Sequence, residues 1–319
     1  MKNWNNMPPE IKYMIVDNMD IITRERLKMC SKADKCIVES TPFTINHMYI
    51  LLLHEYEDCP SFYIYINMEK SKKMMIVELE NGKQVICKSG GYNKCIQFSN
   101  TEEAIKWMND FYTSILLDTK MKIECFKTNR ILPETIANHE TKLKLKNVEL
   151  HHTRAEEMLK WLNILDSSLE QLSIHRCFLD NSNVMQGIGS HPLVVNAKRL
   201  LLGSRGVIDD EKLLNLKCND LNLFGSPITT SGFRKLIKKV IEEDYPIESK
   251  WVIHSHYNLD ELLEGYNANT RGPYGDNYKY VFVPINKHKK IELLWKDTCI
   301  EIKIVPCNQP FVDHIAMHS

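Results

Sequence analysis

The sequence predicts an α+β fold in three parts: a small helical segment over residues 1–42, an antiparallel β meander with one helix over 43–128, and strand–helix units followed by mixed strands over 129–319. Three observations lead to this prediction: helical spacing of apolar residues near the N-terminus, turn dipeptides between short β-rich segments, and an apolar pair that recurs in the second half. A length of 319 residues, of which 43% are hydrophobic, supports two or three domains and excludes collagen, coiled coil and bulk disorder.

The charges of the chain balance. Lys plus Arg number 41 and Asp plus Glu number 41, so a phosphate backbone meets no net positive charge and nucleic-acid binding is disfavoured. The longest clearly apolar run, Met48 to Leu53, is far shorter than the roughly 20 residues that cross a bilayer, and the first residues lack the apolar stretch of a signal peptide. We therefore expect no membrane contact and a cytoplasmic or nuclear protein.

Short helices are expected at the N-terminus. Pro8 and Pro9 suit a helix start, where the missing N–H is not needed. Thr23 is predicted to cap a second helix with its hydroxyl, and residues 31–33 then lead to a last helical piece that ends near Pro42. The first helix carries an apolar face formed by Ile11, Met14, Ile15 and Met19.

Beyond the helices the pattern changes to a meander of β segments. Asn81-Gly82 tolerates the positive φ angles of a two-residue type I′ hairpin turn, and Gly90-Gly91 predicts the next reversal. A helix that is capped by Asn100 or Thr101 and extends to about Leu117 then offers one apolar stripe to a sheet face. The predicted strands are Tyr49–His54, Phe62–Asn67, Met74–Leu79, Lys83–Cys87 and Lys94–Phe98, and the helix stripe is Ile105, Met108, Tyr112 and Ile115.

A repeat runs through residues 139–242. An apolar pair is followed five positions later by another apolar residue, and the four copies start 29, 28 and 21 residues apart. The second copy, Leu169-x-x-Leu172-x-Ile174-x-x-Cys177-x-Leu179, fits the leucine-rich-repeat template throughout, while the others fit more loosely. Because helical candidates lie between the copies, we expect parallel strands that stack as one curved, leucine-rich-repeat-like sheet with helices behind it. The pairs are Leu143/Leu145, Leu172/Ile174, Leu200/Leu202 and Leu221/Leu223.

The helices of this array carry their own signals. Thr153 to Glu156 forms a capping box ahead of one helix, and the acidic residues Asp209 to Glu211 suit the first turn of another, where carboxylates favour the positive end of the dipole. A clear amphipathic stripe follows at Phe233, Leu236, Ile237, Val240 and Ile241. The final part is expected to hold an Asn- and Gly-rich loop around residues 267–277 and strands at Tyr280–Pro284, Ile291–Trp295 and Ile300–Val305.

No motif predicts a metal or a nucleotide. Gly187-x-Gly189 lacks the third glycine of a dinucleotide loop. The paired histidines lack the ligand spacing of known zinc sites, which favours polar packing over metal binding. These pairs are His151-His152 and His254-x-His256.

The cysteines do not indicate a catalytic centre either. The ten cysteines include no C-x-x-C, and we expect them to be reduced. Cys177 and His175 offer a thiol and a base, yet both lie in one predicted repeat strand, which favours a structural role. We therefore expect no catalytic residue, no metal and no cofactor, and a thiol-dependent enzyme is the weakest alternative.

The N-terminal residues follow a longer pattern, whose positions are Met7-Pro8, Glu10-Ile11, Ile15-Val16, Met19-Asp20, Leu27 and Cys30-Ser31. This pattern resembles that of the F-box family, in register and without gaps. Two positions depart from the family pattern: Arg24 replaces an apolar residue of the second helix, and Asp34 stands where the closing Trp is expected. The sequence of this segment is similar to that of the large nematode F-box families. In those proteins the F-box is followed by a C-terminal F-box-associated region of the FTH kind, and residues 213–237 resemble that region.

The resemblance implies a non-catalytic, substrate-recognition subunit of an SCF-type (cullin–RING) ubiquitin ligase. Its F-box would bind a Skp-family adaptor, and through it a cullin, while the C-terminal region would bind a protein substrate. A segment of this size cannot bury all of its apolar side chains within itself, which also favours a protein interface. Adaptor contact is expected at Met7, Pro8, Ile11, Ile15, Val16, Met19, Leu27, Met29 and Cys30.

Substrate contact is expected on the outward side of the repeat strands. An alternative from another class is a repeat scaffold or protein-interaction module that never engages a ligase, its N-terminal helices only capping the core. Adaptor binding separates the two interpretations. The candidate substrate-binding residues are Lys144, Ser173, His175, Leu201, Asn222 and Phe224.

Overall fold

The computed structural model divides the chain into two compact units. The first comprises Met1–His152 and Glu156–Glu170, and the second comprises Thr153–Ala155 and Gln171–Ser319. The three-part domain division expected from the sequence stays a prediction. The structure describes residues 4–19, 21–53, 61–68, 73–89, 92–151, 154–175, 182–203, 206–255, 257, 259–266, 269–271, 278–296 and 298–308.

The first unit begins with a short 3₁₀ turn and three helices, α1 (Pro9–Asp17), α2 (Ile21–Lys28) and α3 (Lys32–Ser40). Pro9 occupies the first position of α1, where its missing N–H costs nothing. Ser31 caps α3, because its hydroxyl oxygen accepts a hydrogen bond from the backbone N–H of Asp34 at 3.1 Å. The predicted cap at Thr23 is wrong, since Thr23 lies inside α2.

A seven-stranded sheet follows in this unit, in the order β7-β6-β1-β2-β3-β4-β5. Strands β1 to β5 pair antiparallel in sequence, as the predicted meander requires, while β1, β6 and β7 pair in parallel. Their bounds are Phe43–Leu53 (β1), Ser61–Met68 (β2), Lys73–Glu80 (β3), Gln84–Ser89 (β4), Tyr92–Gln97 (β5), Met121–Thr128 (β6) and Leu145–His151 (β7).

The turn between β3 and β4 has the predicted chemistry and a different length. Asn81 and Gly82 have φ angles of 52° and 67°, and the N–H of Lys83 donates to the carbonyl of Glu80 at 3.3 Å, which is a type I′ turn. Because Glu80 pairs with Gln84, the loop has three residues rather than the predicted two. The second predicted turn, at residues 90 and 91, lies outside the described residues, and Ser89 pairs with Tyr92 across it.

One face of this sheet is covered by helix α4 (Thr101–Leu117), which begins at an Asn100 cap as predicted. The Tyr112 ring packs edge-on against Phe62 of β2 at 6.2 Å between ring centroids. Of the predicted stripe, Met108, Tyr112 and Ile115 are buried and Ile105 is half-buried. Helix α6 (Ala155–Ile164) adds Trp161, whose ring lies 5.5 Å from that of Phe126. A short helix, α5 (Glu134–Ala137), precedes β7.

Three neighbouring strands interrupt the alternation of buried and exposed residues at the same level. Each has two consecutive half-buried residues between two buried ones, so that its buried positions change from odd to even numbers. The pairing register is the same before and after this point in both strand pairs, so the change of face is shared by all three strands and no strand has an extra residue relative to its neighbour. The affected segments are Ile45–Met48 in β1, Ile123–Phe126 in β6 and Leu145–Val148 in β7.

The second unit contains an eight-stranded sheet in the order β8-β9-β10-β11-β15-β14-β13-β12. Strands β8 to β11 are parallel neighbours in chain order. Because crossovers between parallel strands are almost always right-handed, adding strands in one direction is expected to place the connecting helices on one face. The bounds are Gln171–His175 (β8), Arg199–Gly203 (β9), Asp220–Phe224 (β10), Lys250–His254 (β11), Asn269–Arg271 (β12), Tyr278–Pro284 (β13), Lys289–Lys296 (β14) and Cys299–Pro306 (β15).

The helices of the second unit follow the strands as predicted. Asp209 caps α9, its carboxylate accepting from the N–H of Lys212 at 2.9 Å, and Thr229 caps α10. The α10 stripe is buried except for Ile241, which is half-buried. The proposed capping residue Thr153 lies outside the described residues. The helices are α7 (Ser182–Gly189), α8 (Pro192–Asn196), α9 (Asp210–Asn215), α10 (Thr230–Glu242) and α11 (Leu259–Leu263).

The apolar pairs of the predicted repeat form the buried side of this parallel sheet. Leu172/Ile174, Leu200/Leu202 and Leu221/Leu223 are at most 2% exposed. Strand β11 adds a fifth such pair, Trp251/Ile253, which the sequence analysis missed. In the first unit, Leu143 forms an isolated bridge with Leu165. The α+β class is confirmed, and the leucine-rich-repeat-like character stays a prediction.

Candidate protein-interaction surfaces

Helix α1 presents an apolar face to solvent. Ile11 is 43% exposed and Met14 is 65% exposed, while Ile15 is half-buried. These residues are three and four positions apart, so they share one side of the helix, which we call the α1 face. Val16 points to the opposite side and is completely buried. The α1 face is therefore an apolar stripe that remains accessible to another protein.

The N-terminal helices have too small a core to bury this stripe themselves. In the described residues of α1 to α3, only Val16, Ile21 and Val38 are buried apolar side chains, each at most 3% exposed. Met29, just after α2, is 79% exposed. Exposed apolar side chains at this density are typical of a protein-binding surface.

Most of the predicted adaptor-binding residues are accessible. One is not: Val16 lies in the core and is therefore removed from the proposed contact set. Met14, which belongs to the predicted helical stripe but not to the predicted contact set, is more exposed than Ile11. Among the others, Pro8, Ile11, Met29 and Cys30 are exposed, and Met7, Ile15, Met19 and Leu27 are half-buried.

Asp34, which departs from the F-box pattern, is a hydrogen-bond centre of the helical segment. It is 5% exposed, and its carboxylate accepts a hydrogen bond from the indole N–H of Trp4 at 2.7 Å and another from the Ser31 hydroxyl at 2.8 Å. These two donors lower the pKa of Asp34, the indole contributing most. Trp4 thus reaches the start of α3 from the N-terminus, and a polar contact occupies the expected position of the closing Trp.

Arg24, the other departure, is 4% exposed and joins α2 to the start of β1. Its guanidinium donates to the carbonyls of Thr41 at 3.0 Å and Pro42 at 3.4 Å, and it lies 4.4 Å above the Phe43 ring. Burial lowers the pKa of Arg24, while the carboxylates of Asp17 and Asp118 act in the opposite direction. An apolar side chain at this position could not make these contacts.

A second accessible surface lies in the second unit, on the side of the parallel strands opposite their buried pairs. We call it the open face of β8–β11. One row crosses the strands through the register Leu201↔Asn222↔Val252, and all three side chains are half-buried. At the next level, the Phe224 ring, 39% exposed, stacks on His254 with 3.9 Å between ring centroids and 16° between planes. This surface combines apolar side chains at Leu201, Val252 and Phe224 with polar and charged ones, and it has an aromatic pair at the end of the strands. The polar and charged residues on it include Gln171, Arg199, Asp220 and Lys250.

The structure places four of the six predicted substrate-binding residues on this open face: His175, Leu201, Asn222 and Phe224. Ser173 is on the same strand side but is only 4% exposed, so it has little surface to offer. Lys144 is exposed, yet it precedes β7 in the first unit and is not part of this face. Val252 and His254 were missed because β11 was not recognised as a further copy of the repeat.

Two of the described thiols lie in surroundings that disfavour the thiolate. Burial raises the pKa of Cys87, and it raises the pKa of Cys218 to about 12, which is the opposite of what thiolate chemistry requires. Every described cysteine is a free thiol. The candidate nucleophile Cys177 lies outside the described residues, as do His152 and His256.

None of the helices in the described ranges has the length and apolar content of a membrane span.

Comparison with known families identifies two regions of the chain. Residues 4–46 match the F-box domain, and residues 113–256 match a domain of unknown function, DUF3557. Neither the curated proteins nor the solved structures gave a match. The chain therefore carries an F-box domain at its N-terminus, followed by a DUF3557 domain that includes β6 to β11. The resemblance to the FTH kind and to nematode families stays a prediction.

Proposed function

We propose that this protein is a substrate-recognition subunit of an SCF-type ubiquitin ligase. The observation that carries the proposal is an F-box domain whose first helix exposes Ile11 and Met14 beside the half-buried Ile15. A Skp-family adaptor would cover this α1 face, and a cullin would join through the adaptor. In this role the protein contributes proximity and orientation rather than a catalytic group, and it works in the cytoplasm or the nucleus.

The substrate would bind on the open face of β8–β11. Its central row, Leu201, Asn222 and Val252, and the exposed Phe224 ring offer apolar contact with one amide at the centre. Aromatic side chains such as Phe224 are enriched in protein interfaces, and Leu201 and Val252 would add apolar contact beside it. A protein segment is therefore the class of substrate that we propose.

Adaptor binding tests the proposal. The full chain is titrated with a purified Skp-family adaptor, and the dissociation constant is compared with that of Ile15→Asp and Met14→Asp. Placing a carboxylate on a buried interface position is expected to raise the dissociation constant at least about 30-fold. The matched control is Ile131→Asp, because Ile131 is 62% exposed and lies in the same unit outside the helices.

Two outcomes are decisive. If the wild-type chain and the control bind and the α1-face variants do not, the receptor role stands. If the folded wild-type chain binds no adaptor, the F-box does not engage a ligase, and the repeat-scaffold alternative takes its place.

The substrate face needs a separate readout. Proteins that are ubiquitinated in the presence of the wild-type complex should lose modification with Leu201→Asp, whose adaptor affinity is expected to be unchanged. Loss of adaptor binding in Leu201→Asp, or unchanged modification, would contradict the assignment of this face.

A further inference from the structure

The join between the F-box helices and the first sheet contains a cavity with few apolar side chains in its lining. A cavity of about 220 Å³ lies there, lined by side chains of α2 and α3 and by the turn between α4 and β6. Its apolar lining is thin, and it includes Ile21, Val38, Phe43 and Met121. Only four of the ten residues that line the cavity are apolar, so apolar packing at this place contributes little to fixing the angle between helices and sheet.

Arg24 crosses this join. From α2 its guanidinium bonds the carbonyls of Thr41 and Pro42, the residues that connect α3 to β1, and it covers the ring of Phe43, the first residue of β1. The next link is backbone, since the N–H of Phe43 donates to the carbonyl of Lys120 at 3.2 Å. One side chain thus connects α2 to the beginning of β1, which is in turn hydrogen-bonded to the residue before β6.

The charges around Arg24 come from two further elements. Asp17 ends α1, and Asp118 caps the C-terminal end of α4, and both act on the guanidinium charge. A planar group with several donors can satisfy carbonyls and an aromatic face together, which a lysine ammonium or an apolar side chain cannot do. Arg24 therefore contacts the α3–β1 connection and the first residue of β1 directly, and its charge is also attracted by the carboxylates at the ends of α1 and α4.

We propose that Arg24 is a positioning residue that holds the F-box helices at a fixed angle to the first sheet. If the proposed function holds, Arg24 thereby also fixes the orientation of an adaptor bound on the α1 face relative to the first sheet. Replacement of Arg24 should loosen the join without unfolding either side, because Val16 and Val38 in the helices and Ile45 and Met48 in the sheet remain buried.

The first measurement is amide exchange on the free full-length chain with Arg24→Met and Arg24→Lys. The Phe43 amide should exchange at least about tenfold faster in Arg24→Met, the effect of losing one charge-assisted hydrogen bond. Arg24→Lys keeps the positive charge but loses the planar guanidinium with its several N–H donors, so it should give a smaller increase in the exchange rate of the Phe43 amide. The Val77 amide in β3 is the internal control and should be unchanged.

The second measurement reports the angle itself. Spin labels are placed on Cys36 of α3 and Cys95 of β5, both exposed, with the other reactive cysteines replaced by serine. The wild-type chain should give one narrow distance distribution, and Arg24→Met should broaden it.

Unchanged exchange and an unchanged distance width in Arg24→Met would overturn the inference. So would loss of helix content in both variants, because Arg24 would then be required for folding rather than for positioning. Neither measurement contains adaptor, so a wild-type chain that binds no adaptor refutes the proposed function and leaves this test intact.

Discussion

Gly232→Ala should destabilise the protein, although alanine is the better helix former. Gly232 lies in the first turn of α10, directly against Asp210 of α9, and a Cβ at this position would overlap the Asp210 carboxyl group. That carboxylate accepts hydrogen bonds from Thr229, one from its N–H at 2.9 Å and one from its hydroxyl. The added methyl group therefore forces Asp210 to rotate away from the α10 cap.

The two effects have opposite signs. Replacing glycine by alanine in a helix gains up to about 1 kcal/mol. Each lost bond to the partly exposed carboxylate costs about 1 kcal/mol, below the usual range for charged partners because water competes for it. The net expected change is a loss of about 1 kcal/mol in the free energy of unfolding.

A double-mutant cycle isolates the effect of Asp210 on position 232. In the Asp210→Ala background the bonds to Thr229 are already absent and the space is open, so Gly232→Ala should stabilise by up to about 1 kcal/mol. Urea unfolding followed by circular dichroism measures all four chains. An equal stabilising effect of Gly232→Ala in both backgrounds would refute the argument, because Asp210 would then not restrict this position.

Three further predictions concern separate parts of the molecule. The pKa of Asp34 is lowered in the folded state, so the ionised carboxylate stabilises the fold above its unfolded pKa of about 3.9, and this stabilisation is lost as pH falls through the lower folded pKa. Trp4→Phe removes the main hydrogen-bond donor to Asp34, and acid unfolding should then begin at a higher pH. Burial raises the pKa of Cys218 to about 12, so iodoacetamide at pH 8 should label the exposed Cys36 and leave Cys218 unmodified in the native protein, as mass spectrometry can read directly. Trp161→Ala should cost about 3–5 kcal/mol in urea unfolding, because the ring is fully buried and its N–H donates to the Arg130 carbonyl at 2.9 Å; a loss below 1 kcal/mol would show that α6 does not depend on this anchor.

Local signals in the sequence predicted much of the fold. The Asn100 cap, the positive φ angles at Asn81-Gly82 and the acidic start of α9 depend on neighbouring residues alone, and the structure confirms them. The loop length at this turn was wrong because it follows from the pairing of Glu80 with Gln84, which no dipeptide encodes.

Long-range contacts explain what the sequence analysis missed. Arg24 and Asp34 were noticed only as departures from a pattern, since their partners Thr41 and Trp4 become neighbours through folding. The shared interruption of alternation in β1, β6 and β7 likewise requires knowledge of which strands pair. Val16 shows the same limit for the candidate site, because the apolar stripe of a short helix does not reveal which of its residues face the core.

The strand β1 gives the N-terminal domain an unusual kind of boundary. The F-box match extends to residue 46, and β1 begins at Phe43, so the two share the first residues of a strand at the interior of the first sheet. Phe43 is 5% exposed and pairs with Met121. A cut or a module exchange at this point would remove the start of an interior strand rather than a linker. The F-box of this protein therefore cannot be exchanged as an independent module. If it is moved to another protein or replaced by another F-box, the receiving sheet must continue β1 and pair with it.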